Sequence, residues 1–597
     1  VTYDTIIRNG RWFDGTGAPS AIRNIGIRHG RVTTVTPHPL DATGCPEVVE
    51  AAGKWVLPGM VDVHTHYDVE VLGGPGLPES VRHGVTTVLL GSCSLSTIHV
   101  GGADAGDLFG RVEAIPREHV IDAIDGAKTW QTAGQYAQAL ESRPLGPNVA
   151  AFIGHSDMRT AVMGLDRATR KDVQPTASEQ SEMERMLAEA LDAGFVGLSS
   201  QQLLFDKLDG ETCRSRTLPS TYAKPRELRR LKALLRRSGR VLQSGPDIQN
   251  PLNLLSQVAQ SLPVLRNKLK TSLLSAADVK ANPFAVLIMG PLAKSVNRFG
   301  GDFRWQHLPV PFEVYADGID LVVFEEFGSG AAALHLRDEV ERNALLADEG
   351  YRRRFRKDYD TKFGVRVWHR DFFDAEIVGC PDQTVVGKSF GQVGLDRGGL
   401  HPVDAFLDLV LEHGTKLRWR TTISNHRPEV LKKLAADPGI QMGFSDAGAH
   451  LRNMAFYNYG LRLLRHVRDA ERSGRPFMTL EQAVHRMTGE LADWYQIDAG
   501  HLRVGDRADL VVVDPEHLDA SLDDYAEEPV EQYAGLPRMV NRNDAAVELV
   551  LIGGRAVVRD GQPTPTLGSE RTGSFLRVGR STPAPGTTTE SELAHAN

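Results

Sequence analysis

The sequence predicts an α/β protein built on a (β/α)8 TIM-like barrel, with a second β-structure assembled from both chain ends. Three observations carry this prediction. Between Trp55 and about Gly500, short apolar runs alternate with long amphipathic stretches, which is the pattern of parallel βα units. Several of those runs end in polar or small residues that could do chemistry, as strands do at the C-terminal face of a barrel. Strand-like segments broken by Gly and Asn near the start, TIIRNGRWFDG and NIGIRHGRVTTV, return near the end as ADLVVVDP and VELVLIGGRAVVRDG, so both ends read as parts of one small β-domain.

The elements follow in order. Residues 1–57 supply the N-terminal part of the β-domain and 501–580 the C-terminal part, with the barrel over 58–500. Within the barrel, WVLPGMVDVHTH, GVTTVLLGSCS, VAAFIGHSD, GFVGLSS, RVLQSG and IQMGFSD read as strands. The stretch SEQSEMERMLAEALDAG reads as a helix closing on Gly194. From about 281 to 379 the rhythm breaks, which predicts an insertion or lid containing Trp368 and His369. Its basic block YRRRFRK reads as a solvated helix face. The polar, Pro/Thr-rich tail 581–597 is expected to be disordered.

Composition narrows the function classes. The 597 residues carry 68 Lys and Arg against 76 Asp and Glu, a net charge of −8, so no global basic field points to nucleic acid. No apolar run reaches the ~18 residues of a membrane span, and no secretory leader pattern opens the sequence. Four cysteines without a CxxC pair suggest thiols in a reducing compartment. The expectation is a cytoplasmic protein with a small-molecule partner, neither nucleic acid nor membrane; a homo-oligomer is allowed.

The sharpest motif is His64-Thr65-His66 at the end of the first barrel strand. Residues i and i+2 of a strand share a face, so both imidazoles can reach one metal ion. Cys93 follows at the next strand end, readable as a third ligand or as a small buried residue. Asp446, in IQMGFSDAGAH, can bind the same metal and serve as general base and acid, or can cap the following helix. His450, four residues on, is a candidate substrate contact or a locally satisfied helix-start residue. Arg159 in GHSDMR and Lys280 in AADVK are candidate cationic anchors for a substrate carboxylate, with structural pairing the competing reading. His426 could line the barrel mouth or cap a helix.

Together LPGMVDVHTH, SDAGAH and GHLRVGDRADLVVVDP resemble the amidohydrolase superfamily. Over roughly residues 1–245 and 400–570 the chain resembles its N-acyl-D-amino-acid deacylases, the D-aminoacylases. GVTTVLLGSCSLS is similar to their segment in which Cys replaces the usual carbamylated Lys as metal ligand. The resemblance implies a zinc-dependent barrel with a flanking β-sandwich, hydrolysing an amide.

One departure stands out. Family members carry two more histidines on the fifth and sixth strands, whereas here no histidine lies between His155 and His307. Gln243 stands near the first place, and Ser275 or Asp278 near the second. Gln and Ser are poor zinc ligands. The leading expectation is therefore one metal ion, zinc or another divalent cation, held by His64, His66 and Asp446 with Cys93 as fourth ligand or neighbour. The alternatives are a second, weaker ion bridged by Cys93 with Asp278 or water, or a catalytically dead barrel acting as a binding protein. The expected reaction is hydrolysis of a C–N amide bond, foremost of an N-acyl-D-amino acid bearing a carboxylate. The rival within enzymes is a hydantoinase-like cyclic amide or imide hydrolase.

Overall fold

The computed structural model describes residues 2–247, 250–264, 266–362 and 366–581. Most of the tail expected to be disordered, residues 582–597, lies outside the described residues.

Eight parallel strands form the centre. In spatial order they are Met60–Asp62, Val85–Leu90, Asn148–Gly154, Gly197–Gln201, Val241–Gly245, Lys270–Leu273, Asp302–Gln306 and Ile440–Gln441. All but the sixth and seventh are buried along their whole length, as parallel strands covered on both faces must be. The ring closes where His64–Thr65 pairs in parallel with Phe444–Ala447. Val63 N donates to Gly443 O at 2.8 Å and His66 N to Ala447 O at 2.7 Å. The two segments that carry HTH and SD are thus neighbours, although they lie at opposite ends of the barrel's stretch of chain.

Helices cover the barrel. Ala177–Asp192 begins with a capping box between Thr176 and Glu179, which satisfies two end N–H groups at once. It ends as the sequence predicts, with Gly194 at φ 95° and Phe195 N returning to Ala190 O. Met183, Met186, Leu187, Ala190 and Leu191 form its buried face.

The β-domain joins both chain ends. Trp55–Pro58 runs antiparallel to Leu510–Val513 and parallel to Thr5–Trp12, giving a nine-stranded sheet from Gln562–Pro563 to Arg31–Thr36. The sheet folds back on itself: Val32 N donates to Asp506 O and Ala508 N to Gly30 O. Ile7, Ile25, Ile27, Val56, Leu510, Val512 and Leu551 share the enclosed core.

The inserted lobe differs from the stretch 281–379 read in the sequence. Asp302–Gln306 inside that stretch is the seventh barrel strand, and the lobe's three-stranded sheet pairs Phe312–Asp317 and Glu376–Gly379 with Arg418–Ser424. The strand DFRWQ was hidden because only two of its five residues are apolar. The lobe has its own core, including Phe324, Phe355, Trp368, Phe372, Phe406 and Trp419. The basic block belongs to the helix Glu349–Asp360, which buries Tyr351, Phe355 and Tyr359. Arg352 pairs with Asp408 and Arg356 with Asp404, so part of the supposedly solvated face docks on a neighbouring helix. No helix among the described residues is long and apolar enough to cross a membrane.

Candidate metal centre and active site

The first strand delivers His64 and His66 to the barrel mouth with their Nε2 atoms 3.3 Å apart. Cys93 Sγ lies 3.4 Å from His64 Nε2, and the donor atoms of the three residues fall within 4.8 Å of one another. Asp446 Oδ1 completes the group, 3.1 Å from His66 Nε2 and 3.4 Å from His64 Nε2. The structure therefore brings together the four residues read as ligands from the sequence.

Backbone devices hold this convergence. Cys93 and Ser94 take φ of 52° and 69°, Asp446 59° and His450 50°, left-handed conformations that non-glycine residues adopt only when their surroundings enforce them. Gly448, at φ 92°, lets the Ser445–His450 turn lie against the main chain of His66; a Cβ there would come within 2.7 Å of the His66 carbonyl carbon. Asp62 receives the Ser445 hydroxyl and accepts from His64 N at 3.3 Å, clamping the first strand to the last. Asp68 accepts from Gly91 N at 3.2 Å and so fixes the turn that presents Cys93.

The imidazoles are also oriented from behind. His64 Nδ1 lies 2.7 Å from Gln306 Oε1. Gln306 Nε2 donates to Ser272 Oγ at 2.9 Å, and Gln441 Nε2 donates to the same hydroxyl at 2.7 Å. With its amide N–H directed at Ser272, Gln306 turns its oxygen to His64. Nδ1 must then carry the proton, and the Nε2 lone pair faces the cluster. His66 Nδ1 is 3.2 Å from Glu113 Oε1, close but out of line for a hydrogen bond. Burial raises Glu113 to about 8.

Electrostatics suits a cation. Burial would raise Asp446, but the hydrogen bond from His66 and the charges of both imidazoles hold its carboxyl well below the ordinary range. Burial pushes the Cys93 thiol up to about 12, so a thiolate here needs a positive neighbour. Two imidazole nitrogens, one sulfur and one carboxylate make a four-donor set suited to zinc. The histidine side chains are at most 2% exposed against 13% for Asp446, so the pocket is entered from the carboxylate side.

The places without histidines carry amides and hydroxyls that bond one another. On the fifth strand Gln243 accepts from Cys93 N at 3.2 Å and donates to Ser92 Oγ at 3.3 Å. Ser272 stands on the sixth strand and serves the two glutamines. Asp278 is not brought to Cys93: it is fully buried in a two-pronged ion pair with Arg427, which removes it as a second-ion ligand. His426 Nδ1 lies 3.8 Å from the same carboxylate.

The two cationic anchors read from the sequence are engaged elsewhere. Arg159 is completely buried, its Nε 3.0 Å from Glu227 Oε1, the oxygen that His155 Nε2 also approaches at 3.0 Å. Lys280 pairs with Asp374, which also holds His369 at 2.8 Å. His450 does reach the site. Its N donates to Glu113 O at 2.6 Å, and burial lowers its imidazole while Asp446 opposes the shift. Gln306 and Glu113 were missed in the sequence. Neither stands in a motif, and only closure of the ring brings Gln306 to His64.

Residues 47–241 match the model of the amidohydrolase family. An uncharacterised protein of Mycobacterium tuberculosis is 58% identical over 567 residues, covering 94% of this chain and 93% of its own. The N-acyl-D-glutamate deacylase of Alcaligenes xylosoxydans xylosoxydans is 35% identical over 197 residues, 33% of this chain and 37% of that one. Among solved structures, the Bordetella bronchiseptica N-acyl-D-glutamate deacylase, complexed with zinc and a phosphonate inhibitor, superposes with a TM-score of 0.60 at 22% identity, covering 97% of this chain and all of that one. A D-aminoacylase gives 0.60 at 20% identity over 96% of this chain and all of that one; both show a shared fold. With the family match falling on the stretch that carries His64, His66 and Cys93, and the barrel fold shared with the solved deacylases, this protein belongs to the amidohydrolase family, hydrolases of C–N bonds.

Proposed function

We propose that the protein is a deacylase that hydrolyses the amide bond of an N-acyl-D-amino acid, with His64, His66, Cys93 and Asp446 holding a single divalent ion, zinc foremost. The observation that carries this reading is the meeting of those four donors at the barrel mouth. When bound, such an ion polarises a carbonyl and makes a water more acidic. Asp446, the donor nearest solvent, accepts the proton of the attacking water and returns it to the leaving nitrogen. His64 and His66 keep that carboxylate in place, and the buried walls keep bulk water from competing.

Three findings bear on the finer points. The deacylase names among the relatives support the substrate class, and one solved D-aminoacylase is described as having a binuclear metal centre with one-metal activation and second-metal attenuation. The mutually bonded Gln243, Ser92, Ser272, Gln306 and Gln441 favour one ion over two, because amides already paired make weak ligands. With Arg159 and Lys280 engaged, acidic and neutral side chains on the substrate become a real comparison.

A panel of N-acetyl-D- and N-acetyl-L-amino acids, acidic and neutral, beside dihydrouracil and hydantoin tests the reading. Turnover confined to D-substrates, with about one metal equivalent per chain, is expected. Turnover of the cyclic compounds alone would replace it with imide hydrolysis, and a metal-free chain inert to all would overturn it.

Gln306 gives a second test. Gln306→Leu removes the acceptor that fixes His64, and metal affinity is expected to fall about 10–100-fold, read by chelator competition. Gln306→Glu, which restores an acceptor, should recover most of the loss. Unchanged affinity in the leucine variant would show that the ring is held by packing alone.

A further inference from the structure

The helix Pro225–Ser238 links the fourth and fifth barrel strands. It carries Arg229, Lys232 and Arg236 at spacings of three and four, so the three cations form one stripe along its side. The stripe lines a cavity of about 380 Å³ that also takes in Asp247 after the fifth strand, Gln257 of the helix Pro251–Ala259, and Arg266. Asp247 is the one acidic residue of that lining.

The cations are unusually placed. Lys232 and Arg236 are each only 7% exposed. Neither they nor Arg229 and Arg266 form an ion pair among the described residues, whereas Arg230, on the next face of the same helix, pairs with Glu184. Burial, with Arg236 and Arg266 alongside, pushes Lys232 down to about 7; burial and Arg266 bring Arg236 to about 10. Arg236 makes one hydrogen bond, to Gln260 O at 2.7 Å, while its buried Nε has no partner. Arg229 and Arg266 are exposed at the rim, but the like charges of Lys232 and Arg236, held together out of water, are unfavourable unless an anion joins them.

We propose that this cavity is a binding site for a compact oxyanion carrying two charges, a phosphate group free or on a small organic molecule. Guanidinium and ammonium donors from two segments suit an anion with several oxygens better than a single carboxylate. The concave shape and the chain's net charge of −8 disfavour an extended polyanion. Its lining takes in Gln202 and Asp247, just past the ends of the fourth and fifth strands, and none of the four donors of the metal centre, which follow the first, second and eighth. The site stands whether or not the deacylase reading does.

The test is thermal unfolding and calorimetric titration of the full chain with inorganic phosphate, glycerol 3-phosphate and acetate, each at ionic strength matched with chloride. Saturable stabilisation by either phosphate compound supports the site, and the tighter of the two names the source. Lys232→Met combined with Arg236→Met should weaken phosphate binding at least about tenfold, in line with the loss of one or two charge-assisted hydrogen bonds. Lys232→Met alone should raise the melting temperature without phosphate, because an uncompensated buried charge is gone. Should the double variant not fold, Arg266→Gln, on an exposed residue, is expected to weaken binding by a similar factor. Phosphate that stabilises no more than chloride, acetate that binds as well as phosphate, or variants that respond like the parent would overturn the proposal.

Discussion

Replacing Asp446 with asparagine is expected to lower kcat about 10²–10⁴-fold, the usual contribution of a positioned general base and acid. The choice of asparagine matters. Asp446 has φ 59°, a conformation that Asn adopts more readily than Ala, so the turn survives and the loss can be read as chemistry. The clamp between Ser445 and Asp62 is untouched, and three donors, His64, His66 and Cys93, still serve a metal ion. The variant should therefore fold and, assayed with the divalent ion in excess to offset the loss of one of four donors, show KM little changed and kcat collapsed. Kinetics beside metal analysis checks it. An asparagine variant whose kcat stays close to the parent's would remove Asp446 from the proton path.

What the sequence revealed about this site follows from the range of the interactions involved. His64 and His66 were legible because their relation is local: a period of two on one strand puts both rings on one face. Asp446 was legible for a similar reason, as a carboxylate at the end of an apolar run. Gln306 was not, because its bond to His64 spans 242 positions and exists only once the seventh strand takes its place in the ring. Glu113 stands alone in a loop, and no spacing marks it.

Arg159 and Lys280 show the opposite failure. Each sits at or near a strand end, where a substrate anchor could stand. The partners that claim them, Glu227 and Asp374, come from elements 68 and 94 residues away. Burial decides for Arg159, a cation without solvent that takes the nearest carboxylate; Lys280, 18% exposed, pairs with Asp374 at the surface. The insertion boundary moved for a related reason. The strand Asp302–Gln306 has its neighbours on both sides to complete it and needs little apolar signal of its own. The fold class survived these misreadings because it rests on many βα units, whereas each anchor assignment rested on one residue.

Replacing His66 with alanine is expected to cost the protein its metal, and activity with it. If roughly 10–16 kcal/mol of zinc binding is shared among four ligands, one imidazole carries about 3 kcal/mol, a factor on the order of 10² in affinity. The surroundings increase the loss. His66 stands between Glu113 and Asp446, and without it the two carboxylates face each other across a cavity where burial already raises Glu113 to about 8. His66 holds Glu113 down and Asp446 raises it, so without His66 the carboxyl rises further and stays protonated at neutral pH. His64→Ala should behave differently, because Gln306 and Ser272 keep their mutual bond and Asp446 keeps its closer partner, His66, at 3.1 Å; its loss should stay near the single-ligand value. Metal content after dialysis against a weak chelator, measured for both variants beside Cys93→Ser, separates the contributions. Equal retention in the His66 and parent proteins would mean that the cluster is not where the metal binds, and the deacylase reading would fall with it.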